Sequence, residues 1–503
     1  MTFSFKLSRR LAQGFGVLVA ATALAACAGE RSLTDPSTPP DTPTQPPPPP
    51  TNRGGYYASP SGSSSGDGSL ARPWDLGTAL AGAGGRVLAG DTVWMLGGTY
   101  TGNFRTGIAG APGRLIVYRQ YPGQRARIDG TLRADGTDVA FWGFEVFRSA
   151  PSGVLPAVES RGARQKFINL VIHDAAQQGI TFWDEAVDAE LYGNIVYNNG
   201  THENLDHGTY VHNMSGTKLI KDNVFFNNLA YGIHVYAGLG DGTQRNVHVV
   251  GNVSFNNGTI STRYAAKGNI LIGAEDPDEG MRAIDNLLYF SGSVGENMRV
   301  GYLAANKDVV VTGNTVFGGG TALVVGDWTS ATVQNNTVGG PAEIVDLRDS
   351  PSGHAWSGNR YYRIATAAAW RTGAGTALSL VDWKLATGLA STDVAVAPVP
   401  SATQVVIRPN QYEQGRALVV VYNFAGQGNV SVNLSGVLAS GQRYEVHNVQ
   451  DYYGPAVAAG TYSGGSITLP TSGVNPPERL GRSTPTPPRT GPNFDTFVVV
   501  PLN

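Results

Sequence analysis

The sequence predicts an all-β protein, a parallel β-helix followed by a small antiparallel β-sandwich, and three observations carry that expectation. Seven segments repeat an asparagine followed by aliphatic and often aromatic residues: Asn169-LVIHD, Asn194-IVYNN, Asn223-VFFNN, Asn252-VSFNN, Asn286-LLYFS, Asn314-TVFGG and Asn336-TVGG. Their spacings of 25, 29, 29, 34, 28 and 22 residues describe a solenoid with loop insertions, because units this short and polar bury a core only by stacking. Between them lie second alternating runs, GITFW (179–183), GTYVH (208–212), GIHVY (232–236), NILIG (269–273) and TALVV (321–325). The third observation is 66 glycines with almost no helical periodicity.

The elements follow in chain order. Lys6, Arg9 and Arg10 precede an apolar stretch, 11–26, that falls short of the about 20 residues of a membrane-spanning helix and reads as an export signal. Its end, Leu24-Ala25-Ala26-Cys27, resembles the bacterial lipoprotein cleavage box. That resemblance implies a signal peptide over 1–26 and lipidation of Cys27, the only cysteine, and Ala28 beside it points to the outer membrane. A lipid-anchored, extracytoplasmic protein of the cell envelope is expected, at the outer membrane or cell surface. Residues 27–55, with the run PPPPP at 46–50, form a semi-rigid spacer. The segment from Tyr56 to Tyr100 resembles the start of many extracellular β-helices, and that resemblance implies a short strand, a glycine-rich loop and a brief helix over the first coil, hiding an exposed sheet edge. The β-helix then spans 56–395, LSLVDWKLATG (378–388) reads as a helix near the junction, and 400–503 forms the sandwich. Without Lys6, Arg9 and Arg10, the 36 basic residues become 33 against 38 acidic ones, a formal charge of −5 that argues against nucleic acid as a partner. A monomer is expected.

With these repeats the chain resembles the bacterial right-handed parallel β-helix repeat proteins, a group that includes polysaccharide lyases, uronate epimerases and polygalacturonase-type hydrolases. The sandwich resembles the accessory modules that end many carbohydrate-active enzymes, and its Tyr452 and Tyr453 are expected to pack against the β-helix. These resemblances imply a polysaccharide substrate.

Alternation supplies the candidate site. Period two turns Ile180, Phe182, Thr209, Val211, Ile233 and Val235 inward, and their alternates toward solvent. If GTYVH and GIHVY are equivalent strands on successive coils, Tyr210 lies beside His234 and His212 beside Tyr236, with Trp183 on the preceding coil. Five ionisable or aromatic residues over three coils mark a ligand cleft. Histidine and tyrosine suit the proton transfers of β-elimination at a uronic acid, as in lyases and epimerases of the resembled group. The catalytic candidates are therefore His234 or His212 as base and Tyr210 or Tyr236 as acid, with Lys267 or Arg245 neutralising the carboxylate. Trp183, Asp184, Glu203, Asp206, His207 and Glu275 complete the candidate substrate-binding set.

A glycoside hydrolase with paired carboxylates is the alternative. No Asp-Asp dipeptide of the polygalacturonase type occurs, which ranks that alternative below a lyase. A non-catalytic glycan-binding or adhesive surface is the third reading. Glu275, Asp276, Asp278 and Glu279 are hard oxygen ligands of the kind Ca²⁺ takes, though Pro277 and Gly280 suit an ordinary turn better. Lys218, Lys221 and Asp222 read as a solvated turn, and Asn227 and Asn228 as members of an internal amide ladder.

Overall fold

The computed structural model describes residues 55–502, apart from 263–266, 293–294, 304, 341, 397–398 and 483–484. The expected signal peptide, Cys27 and nearly all of the linker lie outside the described residues. After the first coils, where Gly98–Thr106 and Ala126–Ala134 run as continuous strands, each coil contributes three short strands, for example Lys218–Lys221, Val224–Phe226 and Ile233–Val235. First strands stack into a parallel sheet of 12, from Tyr56–Ala58 to Ala355–Ser357, and second and third strands join in a sheet of 21. The pairing is in register and parallel, with Val224 opposite Val253 and Ile233 opposite Ile270 on the next coil. Ile180, Phe182, Val211, Ile233 and Val235 all enter the continuous core, as period two requires.

Asparagine ladders hold the turns together. The Nδ2 of Asn194 donates to Asn223 Oδ1 at 2.8 Å, and the chain continues through Asn252, Asn286, Asn314, Asn336 and Asn359 before ending on Asp393. Each amide also serves the backbone: Asn223 Oδ1 accepts Asn194 N at 2.9 Å, and its Nδ2 donates to Leu191 O at 2.9 Å. A second ladder joins Asn199, Asn228, Asn257, Asn269 and Asn297. Two assignments move by one residue. Asn169 occupies the position before the ladder, where φ is 52° and other coils place Gly193, Asp222 or Gly251, so Leu170 holds the ladder position of that coil. Asn227, at φ 50°, likewise precedes Asn228 and takes no part. Asn223→Ala is expected to cost about 1–3 kcal/mol by stranding the buried groups it serves. Equilibrium denaturation measures this, and an unchanged midpoint would deny the ladder a stabilising role.

A helix stands over the first coil and another near the junction, as the sequence leads one to expect. The helix Leu76–Leu80, N-capped by Asp75, buries Leu76, Ala79 and Leu80 over the first coil. The helix Leu380–Thr387 runs from the Ser379 cap to Gly388 and buries Trp383. Beyond it, a five-stranded antiparallel sheet starting at Gln404–Pro409 faces the pair Asn429–Asn433 and Ser466–Pro470 across a core that includes Val419, Val421, Val432 and Leu469.

The other face of the five-stranded sheet lies on the outer side of the second strand column. Tyr197, Phe226, Phe255 and Phe317 pack there against Leu418, Val420, Tyr422 and Phe494. A stack of rings runs along the column, Phe147, His173, Tyr197, Phe226 and Phe255, at centroid distances of 5.4, 4.8, 4.9 and 5.0 Å. Tyr452 and Tyr453 belong to this interface, with the Arg125 guanidinium 3.3 Å from the Tyr453 ring. The end of the strand Gln404–Pro409 and the loop after it reach the first column, where Tyr412 donates to Glu190 at 2.6 Å. The turn at Lys218, Lys221 and Asp222 is consequently not solvated. Lys221 donates to Gln411, Asp222 faces Arg408 at 3.7 Å, and the fully buried Lys218 caps the carbonyls of Trp183 and His212 at the coil corner.

Candidate functional site

With the sandwich on the second column and its loop on the first, the candidate site lies on the outer side of the third. Pairing aligns Glu159, Thr181, Tyr210, His234, Leu271 and Arg299 on successive coils. Trp183, His212 and Tyr236 follow two residues further along their strands. Rings meet across the coils: Trp183 and Tyr210 at 5.8 Å, Tyr210 and His234 at 5.7 Å, His234 and Tyr236 at 4.9 Å. Two residues of the preceding turns fold over the strand face. His207 lies 4.0 Å and Tyr231 5.0 Å from His234, and Tyr302 adds an edge contact to Tyr236 at 5.9 Å.

The cluster is therefore recessed instead of facing open solvent. His234 is 8 % exposed and His207 2 %. His212 is also buried but makes no ring contact with the cluster, and its Nε2 has no hydrogen-bond partner. Beside the rings a cavity of about 200 Å³ is lined by Leu155, Glu159, Gln178, Thr181, Trp183 and Tyr210. Trp183 Nε1 donates to Glu159 at 2.9 Å, and the Arg161 guanidinium sits 4.9 Å from the Trp183 ring.

Burial sets the protonation states. It pushes His234 down to about 3, with the Lys267 cation adding to the shift. Burial, His234 and Lys267 hold His207 well below the usual histidine range, and its Nδ1 accepts the Tyr231 N–H at 3.2 Å, which fixes the Nε2–H tautomer. His212 is lowered by burial against the opposing pull of Asp184. Burial raises Tyr210 to about 12, while burial and the 2.8 Å hydrogen bond to Glu275 raise Tyr236. At neutral pH the site thus presents neutral imidazoles and protonated phenols. Cations stand at its edge: Lys267 is 5.9 Å from the Tyr231 ring and Arg299 4.7 Å from the Tyr302 ring.

The remaining sequence candidates divide. Trp183, His207, Lys267 and Glu275 join the cluster. Arg245 does not, because it sits on a two-stranded side sheet with its guanidinium between Glu279 and the Thr243 carbonyl. Glu203 is bound by Ser261 Oγ at 2.8 Å and by Thr262, and Asp206 caps the Thr201 and His202 amides at 2.7 and 2.6 Å. Both carboxylates hold loops. Asp184 contributes through its field on His212 and Lys218.

The acidic cluster does not converge either: Glu275 takes Tyr236, Asp276 takes the amides of Gly240 and Gly242, Asp278 takes Gln244, and Glu279 takes Arg245 and Lys307. Among the described residues no three His, Cys, Asp or Glu side chains group as metal ligands. Sequence reasoning missed Tyr231, Tyr302, Glu159, Arg161 and Arg299. Extending the strand register by one coil each way would have found Glu159, whereas Tyr231 stands in a turn that period two does not reach.

No family model and no curated protein matches the sequence. The chain is similar to solved structures that include pectate lyase Pel9A, at 18 % identity and TM-score 0.41 over 61 % of this chain and 74 % of that one. They also include the mannuronan C-5 epimerase A-module of Azotobacter vinelandii, at 14 % identity and TM-score 0.38 over 64 % and 92 %. A lacto-N-biosidase from Eubacterium ramulus matches at 12 % identity and TM-score 0.36 over 68 % and 67 %.

Proposed function

We propose that the third-column face is the catalytic cleft of a polysaccharide lyase, or of an epimerase sharing its first step, that acts on a uronic-acid-containing polymer. The observation that carries this reading is the contact of a neutral, recessed imidazole with protonated phenols beside the Lys267 cation.

His234 accepts the proton next to the uronate carboxylate, and the electron pair moves into that carboxylate. Lys267 offsets the added negative charge. Tyr210 or Tyr236 donates its proton to the glycosidic oxygen as that bond breaks, leaving a carbon–carbon double bond in the uronate. In an epimerase the proton would return to the opposite face of the ring, with no bond broken. A bound carboxylate also raises the proton affinity of His234, because an opposite charge favours the imidazolium. The hydrolase alternative is weaker, since Glu203 and Asp206 already serve loop hydrogen bonds.

A panel of uronate and neutral polysaccharides tests the reading. Unsaturated, ultraviolet-absorbing products are expected from a uronate polymer, or inverted uronates without cleavage for an epimerase. New reducing ends without unsaturation would establish a hydrolase, and binding without turnover a glycan-binding protein.

A pH profile gives a second check. Because His234 titrates at about 3, the acid limb of turnover per substrate concentration is expected well below the ordinary histidine value of 6.5. A half-fall near that ordinary value would remove His234 as the base.

A further inference from the structure

We infer that Arg479 and Arg482, carried by the C-terminal sandwich, are positioning residues for the His207–His234 pair. The inference rests on the cleft assigned above and extends it to a second domain. After the strand Ser466–Pro470 the chain crosses back to the β-helix. Pro477 O accepts Asn198 Nδ2 at 3.0 Å, and Leu480 N donates to Asp174 Oδ1 at 2.9 Å. Arg479 donates to the carbonyls of Asn198 and Gly200, and Arg482 to those same two and to Asp174 and Ala175. Two guanidiniums thus converge on the same two carbonyls, Asn198 O and Gly200 O.

This arrangement costs more than adhesion requires. Arg479 is 5 % exposed, and among the described residues neither arginine has a carboxylate partner within ion-pair distance. Burial and the neighbouring Arg482 push Arg479 down to about 9. A surface that had only to hold the sandwich in place is already supplied by Phe226, Phe255, Tyr422 and Phe494. A buried guanidinium with a half-buried one placed beside it calls for a different role.

What they hold leads to the cleft by two routes. Gly200 opens the loop that Asp206 closes on the Thr201 and His202 amides, and the next residue is His207, 4.0 Å from His234. Within the same loop Leu205 O accepts Gln178 Nε2 at 3.2 Å, and Gln178 lines the cavity. Releasing Gly200 frees both the ring against the base and one wall of the cavity.

The test uses the full chain with Arg479→Met/Arg482→Met, and with both arginines replaced by Lys. Melting curves monitor the fold. Hydrogen exchange at Thr201 and His202, and long-range ¹⁵N shifts of labelled His207, read the loop without any substrate. Turnover is measured on whichever polymer responds in the panel.

The expected result is exchange faster by at least about 10-fold, a changed His207 signal, and kcat lower by about 10- to 100-fold with little change in KM, as misplacement of a catalytic group produces. The Lys pair, which keeps the charges without the planar fork, is expected to recover part of kcat. Wild-type exchange, His207 shifts and kcat in the Met pair overturn the inference. Should the Met pair fail to fold, the Lys pair decides alone, and wild-type values there overturn it equally. If His234→Ala leaves turnover intact, the cleft reading fails separately, while exchange and the His207 shifts still decide whether these arginines fix the loop.

Discussion

Replacing His234 by Ala is expected to lower turnover by roughly 10²- to 10⁴-fold, the range over which a positioned proton acceptor acts. The ring is the centre of the cluster, in contact with His207, Tyr210, Tyr231 and Tyr236. It lies outside the β-helix core, so the fold should survive with a loss of about 1–2 kcal/mol. His248 is the matched control, because it stands in a strand of the first column and its replacement should leave turnover unchanged. Steady-state kinetics with a melting curve for each variant decide the matter. Full activity in His234→Ala would remove the proposed base and turn attention to Tyr210 and Glu159 at the cavity.

Much of this site could be read from the sequence because strand period and stacking are local rules. Once GTYVH and GIHVY are aligned, the pairing of Tyr210 with His234 follows, and the structure has that register. The recess does not follow, since it depends on how the turns carrying His207 and Tyr231 fold over the strands. Lys267 and Arg245 looked equivalent as cations, and only the extra two-stranded sheet separates them. The one-residue slip at Asn169 has a similar origin: Asn suits both the ladder and the positive-φ position before it, and residue type alone does not distinguish them. Least legible was the covering of the second column. Docking of the sandwich joins residues such as Asn169 and Glu413, 244 positions apart, and no repeat or spacing announces it.

That covering gives His173 a role its strand position did not suggest. As one member of an Asn-repeat strand, away from the GIHVY-type runs, it is expected from sequence to be dispensable for turnover. The structure places it in the ring stack beneath the sandwich, 6 % exposed and between two carboxylates. Nδ1 lies 2.8 Å from Asp174 Oδ2 and Nε2 2.9 Å from Glu145 Oε1, so with both carboxylates ionised both nitrogens must donate and the ring is an imidazolium. Burial opposes that charge, but hydrogen bonds and attraction from Asp174 and Glu145 outweigh it and raise the His173 value above 6.5. Burial also acts to raise Glu145, and His173 and Arg125 overcome it to hold that carboxyl below 4.5.

His173→Ala leaves buried Glu145 and Asp174 without their shared cation, and a loss of about 3–5 kcal/mol is expected. The pH dependence has a defined sign. The stabilisation from His173 is complete below its unfolded value of 6.5 and disappears as pH rises through the higher folded value. The part from Glu145 is present above its ordinary value of 4.5 and disappears as pH falls through the lower folded one. The wild type should therefore exceed the variant most between these two ordinary values, with the gap narrowing on the alkaline side. Denaturant midpoints for both proteins, measured from about pH 5 to about pH 9, follow that gap. A gap that stays constant across the range would mean that His173 is neutral in the folded protein.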